Sequence, residues 1–304
     1  MDFDVIVLGD YCLDLIFTGM DSLPKLGAEI EAKSLAVEPG GACNTPLALH
    51  RLGVKTAWAV EFGVDDFSKF VLQKFRDEKF PEDLFVFSNK PLRKITVSLS
   101  FPDDRAFLAF YDQGDMISTA LKGLTQKTAR IIVIPALFWG PALQAGKLLA
   151  KAKKMDLFMD GNNSSELTIY DHAIKNAIKA VRFFSPNGTE ARKLTLTQDL
   201  EKAAMQQGEY CQTVIIKDGA KGAWCRDKGK IYYEPAIAVK AVDTTGAGDL
   251  FNAGFIKAWL DNKGIQECLK WGNIAGGLST QMAGANSYKL SSGEIETIIA
   301  REEK

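Results

Sequence analysis

The run Asp243-Thr-Thr-Gly-Ala-Gly-Asp249 places a carboxylate directly behind two glycines separated by one alanine. Beyond it, Leu250, Phe251, Gly254, Phe255, Ala258 and Trp259 recur at helical spacing. Gly246 to Asp249 should therefore open a helix. The N–H groups of a first helical turn lack partners within the helix, and with the helix dipole they make an anion site. Glycine lets the backbone approach that anion closely. Asp249 is out of place in such a site unless it does chemistry there, and the combination suggests a phosphate group stabilised beside a base. As a plain capped core helix, the segment would lose stability at Gly246, Gly248 and Gly254 with nothing gained.

Other polar groups gather at expected strand ends, where open α/β sheets bind their ligands. Asp14 follows the apolar run at 5–8 and is a candidate for holding hydroxyl groups, or else a turn-capping aspartate. In Glu38-Pro-Gly-Gly-Ala-Cys-Asn44, the pair Gly40 and Gly41 allows close backbone approach, and Asn44 can donate to and accept from a diol. Asn44 could equally cap the helix that runs to Gly53. Asp160 ends another strand. Asn187 and Glu190 lie three apart, the spacing of a helix capping box and of a carboxylate reaching a hydrated magnesium ion. Lys217-Asp-Gly219-Ala-Lys-Gly222 follows a further strand and has the form of a hairpin turn. The stretch 271–280 is rich in small residues, suited to close helix packing or to an adenine ring, and Asn273 is its candidate contact to the base. Two near-matches fail. Residues 140–147 are one residue too long for a P-loop and carry Leu148 where a hydroxyl should stand. Phe251 replaces the third glycine of a dinucleotide fingerprint.

Asp-Thr-Thr-Gly-Ala-Gly-Asp-x-Phe-x-Ala-Gly-Phe closely resembles the C-terminal signature of the ribokinase-like (PfkB) carbohydrate kinases, and the stretch 38–53 resembles their N-terminal one. The resemblance runs from Gly9 to about Ala285, with both signatures in the expected order. It implies a doubly wound α/β fold with a mostly parallel sheet, forming one domain over 1–304, and a small β lid from segments near 15–38 and 92–112. It implies ATP and Mg²⁺ as cofactors and Asp249 as the group that takes the proton from a sugar hydroxyl. The N–H groups of Gly246, Ala247 and Gly248 would hold the transferring phosphoryl group. Asp14, Gly40, Gly41, Asn44 and Asp160 would bind sugar. Lys217, Gly219, Gly222, Asn187 and Asn273 would line the nucleotide side. Glu190 and Asn187 would organise magnesium through water, and Asp243 is a candidate ligand of a monovalent cation such as K⁺. Three departures bear on the sugar: Cys12 stands where many members have asparagine, the glycine-to-asparagine spacing is the shorter variant, and Pro46 replaces a small residue. Ser164, where members that handle acidic sugars carry arginine, argues for a neutral substrate.

The elements that must position these groups follow from periodicity. Apolar runs at 57–62, 131–134, 157–159, 182–184 and 214–216 alternate with helical patterns at 64–79, 141–153, 171–181 and 200–210. That alternation implies a parallel sheet covered on both faces. Phe67, Phe70, Val71, Phe75 and Phe80 form a core stripe. Residues 29–32, 35–38, 94–101 and 106–111 read as lid strands, the last two joined by a turn at 102–105.

With 304 residues the chain can bury a sizeable core, and 37 basic against 38 acidic residues give no electrostatic case for nucleic acid or a membrane surface. The five cysteines show no paired spacing, and with no basic leader before the first strand the expectation is a reduced, cytoplasmic protein. Two histidines leave little scope for a histidine metal centre or a serine–histidine hydrolase, and both read as helix-surface residues. The expectation is an ATP-dependent kinase acting on a hydroxymethyl group of a small neutral sugar, with a homodimer through the lid edges. The rivals are a nucleoside or sugar-phosphate kinase of the same fold, for which Arg93, Lys94 and Arg105 leave room, and a sugar-binding regulator without catalysis.

Overall fold

Short apolar runs closed by glycine, proline or a polar residue become the central strands, and the longer amphipathic stretches between them become helices. The computed structural model describes residues 1–101, 105–162 and 166–302. Strand β1 (Phe3–Leu8) breaks at Gly9 and leads into β2 (Tyr11–Thr18), β3 (Ser34–Gly41) and helix α1 (Asn44–Arg51). Next come β4 (Thr56–Phe62), α2 (Asp66–Asp77), β5 (Phe85–Phe87), β6 (Lys94–Ser100), β7 (Arg105–Tyr111) and α3 (Met116–Gln126). Strand and helix then alternate through β8 (Ala129–Ile134), α4 (Pro141–Ala152), β9 (Asp156–Asp160), α5 (His172–Ile178), β10 (Phe183–Ser185), α6 (Gly188–Thr195), α7 (Leu200–Gln207) and β11 (Thr213–Lys217). The hairpin β12 (Ala223–Asp227) and β13 (Lys230–Glu234) precedes α8 (Ala247–Leu260), α9 (Ile265–Ser279) and α10 (Ser292–Glu302).

The large sheet has nine strands in the order β13-β12-β11-β10-β9-β8-β1-β4-β5, parallel from β11 to β5 with an antiparallel β12–β13 edge. Successive side chains of a strand point to opposite faces. Val5 and Val7 accordingly join one core with α1, α2, α8 and α9, while Ile6 joins the other with α4, α5, α6 and α7. Val71, Phe75 and Phe80 are buried in the first core, as their spacing requires, with Phe67 and Phe70 half-buried against it.

The second sheet has four strands, β3-β2-β6-β7, with β2 and β6 parallel and both outer pairs antiparallel. It differs from the expected outline in two ways. Residues 29–32 form no strand; they are almost wholly exposed and pair with nothing in either sheet, so apolar–polar alternation there had no partner to align with. The sheet also begins earlier, at Tyr11, and ends later, at Gly41, so Asp14, Gly40 and Gly41 lie within strands rather than in loops. Part of the expected turn (102–104) and residues 163–165, including Ser164, lie outside the described residues, as does the side chain of Arg105. All five cysteines are free and buried, and no helix among the described residues is long and apolar enough to cross a membrane. His172 is exposed on α5, whereas His50 is half-buried and its ring bonds the Glu78 carbonyl at 3.0 Å.

Helix α8 is buried on nearly every side, not on one stripe. It packs against α9 so closely that a Cβ on Gly254 would lie 2.6 Å from the Trp271 carbonyl oxygen, and one on Gly276 would lie 2.9 Å from that of Ala247. Small residues at these positions thus bring the two helices together. Gly254→Val should lower stability by about 1–3 kcal/mol, the usual range for overpacking. A urea midpoint equal to wild type would contradict this packing.

Candidate active site

Gly246 is the N-cap of α8 in the left-handed region, φ 72°, and a Cβ there would lie 2.2 Å from Cβ of Ala285. Both facts require glycine. The first intrahelical bond of α8 runs from Leu250 N–H to Gly246 C=O, 3.0 Å. The N–H groups of Gly248 and Asp249 lie ahead of it, in the turn where helical partners run out. Ala247 behaves differently from expectation: its N–H turns back to the Thr244 carbonyl at 3.3 Å, because the preceding residues form a tight turn. Asp243 organises that turn, accepting from Thr245 N–H (2.9 Å), Thr245 Oγ1 (2.7 Å) and Gly284 N–H (2.9 Å). Both its oxygens accept bonds within the protein, and the sequence suggested it as one ligand of a monovalent cation.

Asp249 sits between the first turns of two helices. Asn44 Nδ2 donates to its Oδ2 at 3.0 Å and Thr45 Oγ1 to its Oδ1 at 3.1 Å, both from α1. Asn44 in turn accepts from Asn286 Nδ2 at 2.7 Å, and that amide also donates to the Pro39 carbonyl at 3.0 Å. Asn44, expected to meet a diol, thus has its side-chain oxygen and one N–H engaged in holding the carboxylate. Pro46 stands in the first turn of α1, where no N–H is needed for the helix. Burial raises the Asp249 pKa to about 6, with the Asp160 charge adding to the rise, while Asn44, Lys217 and Thr45 oppose it.

Lys217, at the end of β11, is buried with its ammonium 2.5 Å from Asp160 Oδ2. A Cβ on Gly248 would stand 3.5 Å from that nitrogen, so the positive charge lies against the start of α8. Asp160 also accepts from Asn252 Nδ2 at 2.5 Å and from Asn162 N–H at 2.8 Å. Three protein donors thus hold a carboxylate for which the sequence suggested a contact to sugar. Asn187 and Glu190 form the reciprocal capping box of α6, with bonds of 2.7 and 2.9 Å. Burial and the nearby Asp160 charge push the Glu190 carboxyl upward. Among the described residues no three His, Cys, Asp or Glu side chains are grouped to hold a metal ion. The capping box engages Glu190 through Oε2, and a carboxylate with its other oxygen outside that box fits a hydrated Mg²⁺, which keeps most of its waters. Gly219 and Gly222, φ 57° and 101°, form the turn between β11 and β12, and a Cβ on Gly222 would strike the Glu234 backbone. Asn273, the candidate contact to the adenine, has its amide donating to the carbonyls of Glu234 (2.9 Å) and Pro235 (3.1 Å), tying α9 to the chain leaving β13.

Asp14, Gly41, Asn44, Gly246 and Asp249 line one cavity of about 470 Å³ between the two sheets. Gly40 supports it from below, since a Cβ there would overlap Asp14 Oδ2 at 1.9 Å. Burial raises the Asp14 carboxyl, and Cys12 Sγ donates to its Oδ1 at 3.0 Å. Sequence reasoning missed Thr45, Asn252 and Asn286. Only Asn252 left a signal, as a polar residue three positions after Asp249 within the apolar stretch 250–256.

Folded protein holds the Asp249 proton to a higher pH than an unfolded chain, whose aspartate titrates near ~3.9. Stability should therefore fall as pH rises from about 4 to about 6, with the whole loss present above that. Asp249→Asn should raise the unfolding temperature at pH 8 by roughly 2 °C or more, and by less at pH 5. Carboxyl ¹³C NMR should show one aspartate titrating near 6, moving upward in Thr45→Val. No such aspartate, or a downward move, would contradict the geometry.

Residues 2–291 match the family described as pfkB family carbohydrate kinase. The chain is 25% identical over 291 residues to a ribokinase of Haemophilus influenzae, covering 92% of this chain and 93% of that one. It is 27% identical over 248 residues to an uncharacterised sugar kinase of Archaeoglobus fulgidus, covering 79% and 96%. The fold matches Arabidopsis thaliana ribokinase complexed with ribose and ATP at a TM-score of 0.79 and 21% identity, covering 98% and 99%. It also matches a Burkholderia thailandensis nucleoside kinase in complex with inosine at 0.77 and 18%, covering 98% of each. With the match running over nearly the whole length, the chain belongs to the pfkB family and is an ATP-dependent carbohydrate kinase.

Proposed function

We propose that this kinase phosphorylates a hydroxymethyl group of a small neutral sugar, with Asp249 as the base. The observation that carries the reading is the Asp249 carboxylate itself, fixed by Asn44 and Thr45 at the glycine-rich start of α8 with the Lys217 ammonium close by. A sugar bound against Asp14 and Gly41 would present its hydroxyl to Asp249 Oδ. The carboxylate would accept the proton as the bond to phosphorus forms, so positioning and charge stabilisation carry most of the rate. The N–H groups of Gly248 and Asp249, with Lys217, would meet the negative oxygens of the transferring group. Gly246 contributes the backbone turn that aims them.

Lys217, Gly219 and Gly222 are read as the phosphate side of the nucleotide site. Glu190 and Asn187 would hold Mg²⁺ through water, and that ion supplies charge neutralisation to the phosphates when bound. The charge around the cavity favours a neutral acceptor. Asp10, Asp14 and Asp249 are the charged groups lining the cavity among the described residues. Arg93 is paired with Asp112 and Lys94 with Asp10, at 2.9 and 2.8 Å, so these two lid cations are already matched by carboxylates. The four-stranded sheet is read as a lid, and its edge strand β7 exposes Phe110 and Tyr111 in a manner suited to a second copy of the chain.

The test is ADP release with ATP and Mg²⁺, with and without K⁺, across pentoses, hexoses, nucleosides and sugar phosphates. Neutral acceptors should turn over, and Asp249→Asn should lower kcat by roughly 10²–10⁴-fold while sugar binding persists. Turnover confined to sugar phosphates, or an Asp249→Asn variant as fast as wild type, would overturn the reading.

A further inference from the structure

The half of the cavity walled by α3 and α4 is apolar, and the other half carries three carboxylates, those of Asp10, Asp14 and Asp249. Asp249 and Asp14 are each held by neutral donors. Asp249 accepts from Asn44 and Thr45, and Asp14 accepts from Cys12 and Thr96. Asp10 differs. Its side-chain partner among the described residues is the Lys94 ammonium, 2.8 Å from Oδ2, and 28% of the Asp10 side chain stays exposed.

Lys94 opens β6 in the smaller sheet, yet its side chain is only 2% exposed. Its ammonium lies 5.1 Å from the centre of the Tyr11 ring, and the Tyr11 hydroxyl is fixed in turn by Ser68 and the Leu92 carbonyl. Gly114 lies against it: a Cβ there would stand 3.4 Å from the ammonium and 3.3 Å from Glu61 Oε2. Despite its short distance to Asp10, the ammonium makes no well-aligned hydrogen bond. Burying such a charge is costly, and a packed apolar pair in place of a buried ion pair is often as stable or more so. Stability alone therefore gives no reason for the pair. What the pair does provide is a carboxylate held at the cavity wall by charge, with lone pairs still open to donors. A sugar brings such donors, since hydroxyls that take no part in the transfer need acceptors once they leave water.

We propose that Asp10 is a specificity-determining residue that accepts a non-reacting hydroxyl of the acceptor, and that Lys94 is the positioning residue that aims it. This rests on the reading above that a sugar binds beside Asp14 and Asp249, but its test needs no turnover. Calorimetry without ATP would measure Kd for a panel of free pentoses, hexoses and ketoses, and compare each sugar that binds with its monodeoxy analogues. At one position, loss of the hydroxyl should weaken binding to wild type by roughly tenfold or more, the weight of a hydrogen bond to a charged group. In Asp10→Ala that penalty should shrink to about twofold or less, with the penalties at other positions unchanged. Lys94→Met, similar in length and uncharged, should reduce the same penalty several-fold at the same position. Should Asp10→Ala fold poorly with its ammonium stranded, the double variant Asp10→Ala/Lys94→Met removes both charges and carries the same expectation. A pair with a merely structural role would weaken parent and deoxy sugars equally when mutated, and a penalty that survives in this way overturns the proposal. An Asp10-dependent penalty without ADP release from any sugar would keep the proposal and overturn the acceptor reading. ADP release from sugars whose discrimination ignores Asp10 would do the reverse, and a panel with no binding at all would overturn both.

Discussion

A carboxylate taken out of water at the glycine-rich start of α8 sets the terms for the rest of this structure. Burial and the neighbouring Asp160 charge drive Asp249 toward its neutral form. Hydrogen bonds from Asn44 and Thr45, the Lys217 charge and the positive ends of two helices drive it back. The balance near 6 keeps most molecules ionised at neutral pH while making the group a stronger base than a free aspartate. Neither side of that balance comes from one segment. Asn44 and Asp249 are 205 positions apart, and Lys217 and Asp160 are 57 apart.

The fold supplies this convergence through the ends of parallel strands. β1, β9 and β11 all finish on the same edge of the large sheet, so the residues that follow or end them come together there. Helix α8 delivers its N-terminus to that edge because it is buried against α9 at glycine distances. The smaller sheet closes the other side, and Gly40 is needed there because the Asp14 carboxylate lies against its α-carbon. Rigid helix starts thus hold Asp249, and the second sheet with α3 and α4 lines the cavity beside it.

Much of this was legible in the sequence. The glycine-flanked Asp249 predicted a helix start, and apolar runs predicted every parallel strand of the large sheet except the three-residue β5. What was not legible were the pairings. Asp160 has the same local signature whether it faces a sugar or a lysine, and only the fold brings Lys217 to it. Asn273 lies in a helix of small residues, and only the fold shows that its amide braces the exit of β13. Residues 29–32 show strand-like alternation, yet alternation makes a strand only where a neighbour offers hydrogen bonds. The apolar half of the cavity left no motif at all, since leucines on α3 and α4 look the same lining a void as filling a core.

The most direct test of the central claim, that Asp249 is the base and is tuned by its two α1 donors, is the pH dependence of kcat/KM for phosphorylation of the best acceptor. The rate should be flat above neutrality and fall tenfold per pH unit below an apparent pKa of about 6. In Thr45→Val that limb should move to higher pH, because one donor to the ionised form is gone. A profile that stays flat to well below pH 5, or a limb that ignores the loss of Thr45, would mean that the proton is taken elsewhere.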